Sequence, residues 1–302
     1  MIIISCSHGK HLGRMVSEKL KEKFSELSFS KFPDGEILIR FNASLKGKDV
    51  ILVQSFYESI SDCIIEAILA AKTARDLGAK KIILMAPYFP YLRQDKRFHK
   101  GESVSQTIIS DLIEKYFDGI YIIDPHLHRK NKLEAIFKIK SKELTSNSLI
   151  EDYIKKNIKN AVIIGPDEES YKWAKNVADA LGIESRILEK KRYSSYHVEV
   201  KLNKKIDLRG KSAVIVDDIV STGHTIIETA KTLKKFGAKK VYCICVHGIF
   251  ANGALDKLRK AKVVVVSTNT IPNKFAKIDV SGIIADSLRN GEKIRNKKER
   301  FK

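Results

Sequence analysis

The run VIVDDIVSTGHT, at residues 214–225, carries the clearest structural signal in this chain. Its β-branched apolar residues lead into two adjacent carboxylates, Asp217 and Asp218, and then into a short polar loop that contains a glycine. The residues from Ile226 to Ala230 can start a helix. The run therefore predicts a strand, a polar loop and a helix in direct succession.

The chemistry of this loop predicts its ligand. Backbone N–H groups at the start of a helix lie at the positive end of its dipole, and together with the Ser221, Thr222 and Thr225 hydroxyls they suit a phosphate. Asp217 and Asp218 would repel a phosphate, but they can accept hydrogen bonds from sugar hydroxyls or hold water around Mg²⁺. A phosphorylated sugar satisfies both halves of the pattern.

Length and composition fit two α/β domains. A chain of 302 residues is long enough for two such domains and a large core, and its 43% hydrophobic and 30% charged residues are typical of a globular protein. The formal charge of +20 favours nucleic acid or phosphorylated substrates. Because the lysines lack interleaved aromatic residues and nothing resembles a recognition helix, we interpret most of them as a solvated surface and do not predict a nucleic-acid partner.

The cysteines and the amino terminus indicate a cytoplasmic protein. Cys243 and Cys245 lie on one face of an apolar strand and no Cys-x-x-Cys pair occurs, so buried thiols fit better than zinc ligands or disulfides. The apolar run from Ile2 to Ile4 is too short for a signal peptide, and no run approaches the length of a membrane span. We therefore expect four buried, free cysteines, a cytoplasmic location and no membrane partner.

An internal repeat predicts two homologous halves. Residues 47–53 (GKDVILV) parallel residues 210–216 (GKSAVIV), and residues 72–81 parallel residues 231–240. Both halves alternate β-branched runs with amphipathic segments, the pattern of a mainly parallel sheet flanked by helices. We place the boundary at residue 147, giving domains 1–147 and 148–302, with the last helix able to pack back on the first domain. The predicted strands are Ile2–Ser5, Val50–Gln54, Lys81–Ala86, Gly119–Ile123, Ala161–Ile164, Ser212–Val216, Lys240–Val246 and Val263–Ser267.

Two segments of the first half carry charged groups beside turns. Residues 32–36, FPDGE, form a good turn sequence with two carboxylates. Residues 87–97, PYFPYLRQDKR, follow a strand, and ligands of α/β sheets bind at the carboxyl ends of strands. The planar guanidinium of Arg93 can grip a phosphate there. Taken alone, the segment also fits an exposed charged loop.

Acids and histidines follow two further strands. Asp124 and His126 would face the same way on an extended chain and could meet one metal ion, directly or through water. Metal-dependent hydrolases use similar histidines and remain an alternative for this segment. Asp167 follows the strand Ala161–Ile164 in the same manner. Residues 188–195, LEKKRYSS, fit either a site where negative charge develops or a solvated face.

Together these segments resemble one family, the ribose-phosphate pyrophosphokinases (PRPP synthetases), over nearly the whole chain. Six motifs occur in the family's order: Phe-x-Asp-Gly-Glu, Tyr-x-Arg-Gln-Asp, Asp-x-His, Pro-Asp, Lys-x-Arg, and a loop at residues 217–225 that resembles the PRPP loop of the phosphoribosyltransferase fold. The resemblance implies two duplicated phosphoribosyltransferase-like α/β domains and a homo-oligomer. It also implies transfer of the diphosphoryl group of MgATP to the anomeric hydroxyl of ribose 5-phosphate, giving PRPP and AMP.

The resemblance assigns a role to each candidate residue. ATP would be bound by Arg93, Gln94 and Asp95, and the ATP of a neighbouring subunit by Phe32, Asp34 and Glu36. Mg²⁺ would be held by Asp124, His126 and Asp167. The catalytic residues would be Lys190, Arg192 and His126. Ribose 5-phosphate would be bound by Asp217 and Asp218 and by a cradle formed by Ser221, Thr222, Gly223, His224 and Thr225.

Several residues depart from the family pattern. Ser221 and the pair Gly223–His224 differ from the usual PRPP loop, Gly101 stands where many members have arginine, Pro125 interrupts Asp-x-His, and Glu168–Glu169 follow Asp167. These differences leave nucleotide preference, rate and regulation open. A phosphoribosyltransferase that consumes PRPP, and a noncatalytic regulatory subunit, remain alternatives.

Overall fold

The computed structural model describes residues 1–127, 132–166, 168–192, 198–202 and 207–299. The chain divides into two compact units. The first comprises Met1–Thr145 with Val280–Lys302, and the second comprises Ser146–Asp279.

The first unit is built on a parallel sheet of six strands. In chain order its elements are β1 (Ile2–Ser5), α1 (Lys10–Leu20), β2 (Lys23–Glu26), the antiparallel pair β3 (Ser28–Lys31) and β4 (Ile37–Arg40), β5 (Asp49–Val53), α2 (Ile60–Asp76), β6 (Lys81–Ala86), α3 (Ser105–Glu114), β7 (Gly119–Ile123), a 3₁₀ turn (Leu133–Ala135) and β8 (Lys140–Leu144). The strand order is β2-β1-β5-β6-β7-β8.

The second unit repeats this plan with seven strands. Its elements are α4 (Asn147–Asn157), β9 (Ala161–Gly165), α5 (Glu168–Leu181), β10 (Ser185–Arg192), β11 (Val198–Leu202), β12 (Ser212–Val220), α6 (His224–Lys235), β13 (Lys240–Gly248), α7 (Ala254–Lys260), β14 (Val263–Thr268) and β15 (Ala276–Ile278). The order is β11-β10-β9-β12-β13-β14-β15, and each neighbouring pair is parallel except β10 with β11. The chain continues into α8 (Ser281–Glu299), which packs on α1 in the first unit.

The duplication predicted from the sequence is visible in the topology. Without the edge strand β11, the second sheet has the same order of strands as the first. The turns also match: Gly47 before β5 and Gly210 before β12 have φ of 72° and 75°, while Gly78 and Gly237 have φ of 83° and 87°. A side chain is strained in this left-handed region, so both copies use glycine at the same two turns.

The strands predicted from apolar runs are all present, because such runs suit sheets covered on both faces. Every residue of β1 and β7 is buried. Small residues of α2 let the helix approach the first core closely; the buried alanines are Ala67, Ala70, Ala71 and Ala74. The four cysteines are free and buried, as predicted. In the described part of the chain, every helix is too short or too polar to cross a membrane.

Candidate functional site

Asp217 and Asp218 lie inside a strand that is longer than the sequence predicted. We expected the strand to end at Val216, but β12 continues to Val220 because Asp217, Ile219 and Val220 pair with β13. Both carboxylates are half-buried. Each bonds the next backbone N–H: Asp217 Oδ1 accepts from Asp218 N at 3.0 Å, and Asp218 Oδ1 accepts from Ile219 N at 2.7 Å. These bonds fix the two side chains near the carboxyl end of a parallel strand.

The loop after β12 turns directly into a helix. We expected the helix from Ile226, but α6 begins at His224, with Gly223 as its N-cap residue. Gly223 has φ of 71°, and a Cβ atom there would lie 3.3 Å from Leu258. The first N–H groups of a helix have no carbonyl acceptor within the helix itself, so the amino-terminal end of α6 is suited to bind an anion. Ser221 and Thr225 are half-buried beside it, and Thr222 and His224 are exposed.

The equivalent strand end of the first unit is filled by its own side chains. Gln54 and Ser55, which stand where the second copy has Asp217 and Asp218, are fully buried. Gln54 Nε2 donates to Glu66 Oε2 at 2.8 Å, and Gln54 Oε1 accepts from the His8 N–H at 2.9 Å. Burial raises the pKa of the Glu66 carboxyl, although its hydrogen bonds oppose that shift. The second copy alone therefore offers carboxylates at this position.

The basic segment after β6 is anchored by apolar residues and ends in exposed cations. Tyr91 has φ of 62°, a conformation that a non-glycine residue keeps only where its surroundings hold it. Arg93 is exposed, and Gln94 and Asp95 are half-buried. The buried anchors are Tyr88, Phe89 and Leu92. Arg93 is thus presented to solvent at the carboxyl edge of the first sheet.

The turn predicted at residues 32–36 joins β3 to β4. The Phe32 N–H donates to Glu36 O at 2.8 Å, the Gly35 N–H donates to Phe32 O at 2.9 Å, and Gly35 has φ of 95°. Asp34 Oδ1 accepts from the Glu36 N–H at 3.2 Å. Phe32 is 48% exposed, which is unusual for a large apolar side chain and leaves it available to a partner.

Asp124 follows β7 in an unusual conformation. Its side chain is buried, its N–H donates to Leu144 O at 2.8 Å, and its φ is 37°. The chain is therefore not extended at Asp124, and strand alternation gives no reason for Asp124 and His126 to share a face. Their joint role stays a prediction. His126 is half-buried.

Glu143 on β8 is a nearby acid that the sequence analysis missed. Partial desolvation, then the charges of Asp124 and Glu134, raise the pKa of its carboxyl. Its strand, KSKEL, has no apolar run to mark it.

The remaining predicted residues are only partly described. Lys190 and Arg192 are strand residues of β10, opposite Val200 and Val198 of β11. Antiparallel pairing with β11 extends β10 through this basic stretch. Asp167 lies outside the described residues. Among the described residues, no group of three or more His, Cys, Asp or Glu side chains could hold a metal ion.

Comparison with known proteins decides the family. Residues 1–116 match the N-terminal domain of ribose phosphate pyrophosphokinase, and residues 132–281 match the phosphoribosyl transferase domain. A ribose-phosphate pyrophosphokinase of Pyrococcus furiosus is 35% identical over 280 residues, which cover 93% of this chain and 97% of the relative. Another, from Methanothermobacter thermautotrophicus, is 36% identical over 290 residues, which cover 96% of this chain and 100% of the relative.

The chain belongs to the ribose-phosphate pyrophosphokinase family. A solved structure of the same fold is the phosphoribosylpyrophosphate synthetase from Mycobacterium smegmatis, which is 24% identical; the match has a TM-score of 0.85 and covers 97% of this chain and 99% of that one. The predicted family, the duplicated α/β fold and the enzyme class of a ribose-phosphate diphosphokinase are confirmed. The roles of individual residues stay predictions.

Proposed function

We propose that this ribose-phosphate pyrophosphokinase transfers the diphosphoryl group of MgATP to the anomeric hydroxyl of ribose 5-phosphate. The oxygen of that hydroxyl bonds to the β-phosphorus and its proton is released to solvent, while the bond from the β-phosphorus to the α,β-bridging oxygen breaks and AMP leaves with that oxygen. One observation supports the sugar half most directly: two half-buried carboxylates near the end of β12 are followed, after a short loop, by the glycine-capped start of α6.

Ribose 5-phosphate binds through the second unit in this proposal. Asp217 and Asp218 accept hydrogen bonds from the ribose hydroxyls, since ionised carboxylates are acceptors only. The 5-phosphate binds at the start of α6, where backbone N–H groups and the helix dipole favour an anion. The residues of this cradle are Ser221, Thr222, Gly223, His224 and Thr225.

ATP binds through the first unit. Arg93 contacts the phosphates, because a guanidinium can donate two parallel hydrogen bonds to phosphate oxygens. Gln94 and Asp95, the next two residues in the chain, belong to the same proposed ATP-binding segment. Lys190 and Arg192 neutralise charge that develops during transfer, which is where electrostatic stabilisation lowers the barrier most.

We assign Mg²⁺ to this site because the proposed donors include carboxylates and ATP supplies phosphate oxygens. Mg²⁺ is usually held by one or two carboxylates together with water and substrate phosphates, and Asp124 supplies one such carboxylate. A histidine is a poorer direct ligand for this hard cation, so we assign His126 to a hydrogen bond with metal-bound water. Asp167 completes the proposed set. When bound, the metal would neutralise phosphoryl oxygens of ATP.

We also propose a homo-oligomer that forms through one apolar surface. Ile65 and Leu69 lie four residues apart on α2 and are 48% and 37% exposed. Leu38, on the strand β4 that packs on α2, is 48% exposed. We call these three residues the α2 face. A second copy of the chain would cover it, and the neighbouring loop with Phe32, Asp34 and Glu36 would then serve the ATP of that copy.

The buried free thiols suit a reducing compartment, so we place the protein in the cytoplasm.

The test is to incubate the protein with Mg²⁺, ATP and ribose 5-phosphate and to follow AMP and PRPP together. Equal amounts of both products, absent without the sugar phosphate, are expected. Absence of both products across several nucleotides and metals, with PRPP still binding, would favour a phosphoribosyltransferase or a regulatory subunit.

A further inference from the structure

The loop that follows Arg93 is braced by one carboxylate, that of Glu102. Its Oε2 atom accepts the backbone N–H of Phe98 at 3.0 Å and that of His99 at 3.1 Å. The same oxygen lies 3.4 Å from Nε2 of Gln94, which donates to it. One side chain thus joins the proposed ATP-binding segment to the far end of its own loop.

A tight turn carries Glu102 back to these donors. The Glu102 N–H donates to His99 O at 3.3 Å, and Gly101 has φ of 90° at the third position of the turn. That φ is the signature of a type II turn, which requires glycine there. Nε of Arg97 donates to the Glu102 backbone oxygen at 2.9 Å, which closes the loop from the other side. The turn explains why glycine, rather than arginine, occupies position 101.

The opposite end of the loop is held by Gln106, in the first turn of α3. Its Nε2 donates to Leu92 O at 3.1 Å, and its N–H donates to Gln94 O at 3.3 Å. Because these carbonyls lie one residue before and one residue after Arg93, the backbone around Arg93 is fixed while its side chain stays exposed.

Charge gives the brace a second effect. The loop carries several cations that repel one another: Arg93, Lys96, Arg97 and Lys100. Glu102 places a negative charge among them. Several contacts lower the pKa of its carboxyl, and the hydrogen bond from the His99 N–H has the largest effect. Glu102 therefore stays ionised at neutral pH and offsets part of this repulsion.

We propose that Glu102 is a positioning residue for ATP: by bonding Gln94, Phe98 and His99 with one oxygen, it orders the basic loop before the nucleotide binds. The proposal rests on the proposed function, in which Arg93 and Gln94 contact ATP. A loop that is ordered in advance loses less conformational entropy on binding. Glu102 should therefore increase the affinity for ATP.

The test compares Glu102→Ala with Glu102→Gln by steady-state kinetics. We expect Glu102→Ala to raise KM for ATP about tenfold while KM for ribose 5-phosphate stays unchanged, because only the loop loses its order. Glu102→Gln should recover most of the affinity, since all three donors meet a single oxygen that an amide carbonyl can replace. The matched control is Asp111→Ala, which removes an exposed carboxylate of α3 and should leave both KM values unchanged.

A second measurement needs no activity. Trypsin cleaves after lysine and arginine, and Glu102→Ala should be cut within residues 93–100 faster than the wild type, while Asp111→Ala should match the wild type. An unchanged KM for ATP, or equal rises in both KM values, would overturn the positioning role in an enzyme that still makes PRPP. If the wild type makes no PRPP, the proposed function fails, and the trypsin result alone then decides whether Glu102 orders the loop.

Discussion

At the scale of single residues, the backbone conformation of Gly223 tests the proposed phosphate cradle. Its φ of 71° costs an L-residue about 1–2 kcal/mol, and an added Cβ would also press on Leu258 at 3.3 Å. We therefore expect Gly223→Ala to lower the free energy of unfolding and to raise KM for ribose 5-phosphate, because the start of α6 must shift.

Gly253 provides the matched control for this prediction. It has φ of 69° and also precedes a helix, but no atom lies within 4 Å of its added Cβ. Gly253→Ala carries only the strain of the positive φ, so it should lower the free energy of unfolding by about 1–2 kcal/mol, less than Gly223→Ala, and leave KM for ribose 5-phosphate unchanged. Equal changes of KM in both variants would show that general destabilisation, and not the cradle, causes the effect.

At the scale of elements, Glu66 ties α2 to the loop between β1 and α1. Its carboxylate accepts from the Ser7 N–H at 2.8 Å and from the Ser7 hydroxyl at 2.5 Å, in addition to Gln54. Glu66→Ala would leave these donors without their acceptor. Ser7 is exposed and can bond water instead, but Gln54 is fully buried. An unsatisfied buried donor costs about 1–3 kcal/mol, so the variant should unfold at clearly lower urea concentration.

Burial gives Glu66 a predictable pH dependence. Because desolvation raises its pKa in the folded protein, the folded state binds the proton more tightly than the unfolded state. Its contribution to stability is therefore complete below the unfolded pKa of about 4.3, and is lost as the pH rises through the higher folded value.

Glu66→Gln removes this titration and isolates its contribution. The free energy of unfolding of the wild type minus that of Glu66→Gln should fall as the pH rises from acidic towards neutral. Urea unfolding at several pH values measures the difference. A difference that grows with pH would mean that the hydrogen bonds outweigh burial and lower the pKa instead.

The secondary-structure elements also differ in how well the sequence predicts them. Apolar runs such as those of β1 and β7 predicted buried strands, but β2 (KFSE) and β8 (KSKEL) are polar edge strands without such a run. The predicted end of β12 at Val216 was also wrong, since pairing with β13 carries the strand through Asp217 and Asp218 to Val220. The Glu66 network could not be predicted, because its bond to Ser7 spans 59 residues of sequence.

At the scale of the whole molecule, the α2 face predicts self-association. Burial of exposed apolar side chains stabilises an interface by roughly 25 cal/mol per Å² before the costs of association. Ile65→Glu combined with Leu69→Glu should therefore lower the molar mass measured by light scattering at a fixed protein concentration. Ile108→Glu is the control, since Ile108 is 56% exposed on α3, outside the α2 face. An unchanged mass in the double variant would place the interface elsewhere.

The family also fixes what the whole enzyme must do with its two substrates. The most direct measurement uses ATP labelled with ³²P at the β-phosphorus, incubated with Mg²⁺ and ribose 5-phosphate, with the products separated by chromatography. Transfer of an intact diphosphoryl group predicts that the label appears in PRPP and that the AMP formed in equal amount is unlabelled. Label that remains in ADP, or is released as pyrophosphate while the sugar phosphate stays unchanged, would contradict the proposed reaction.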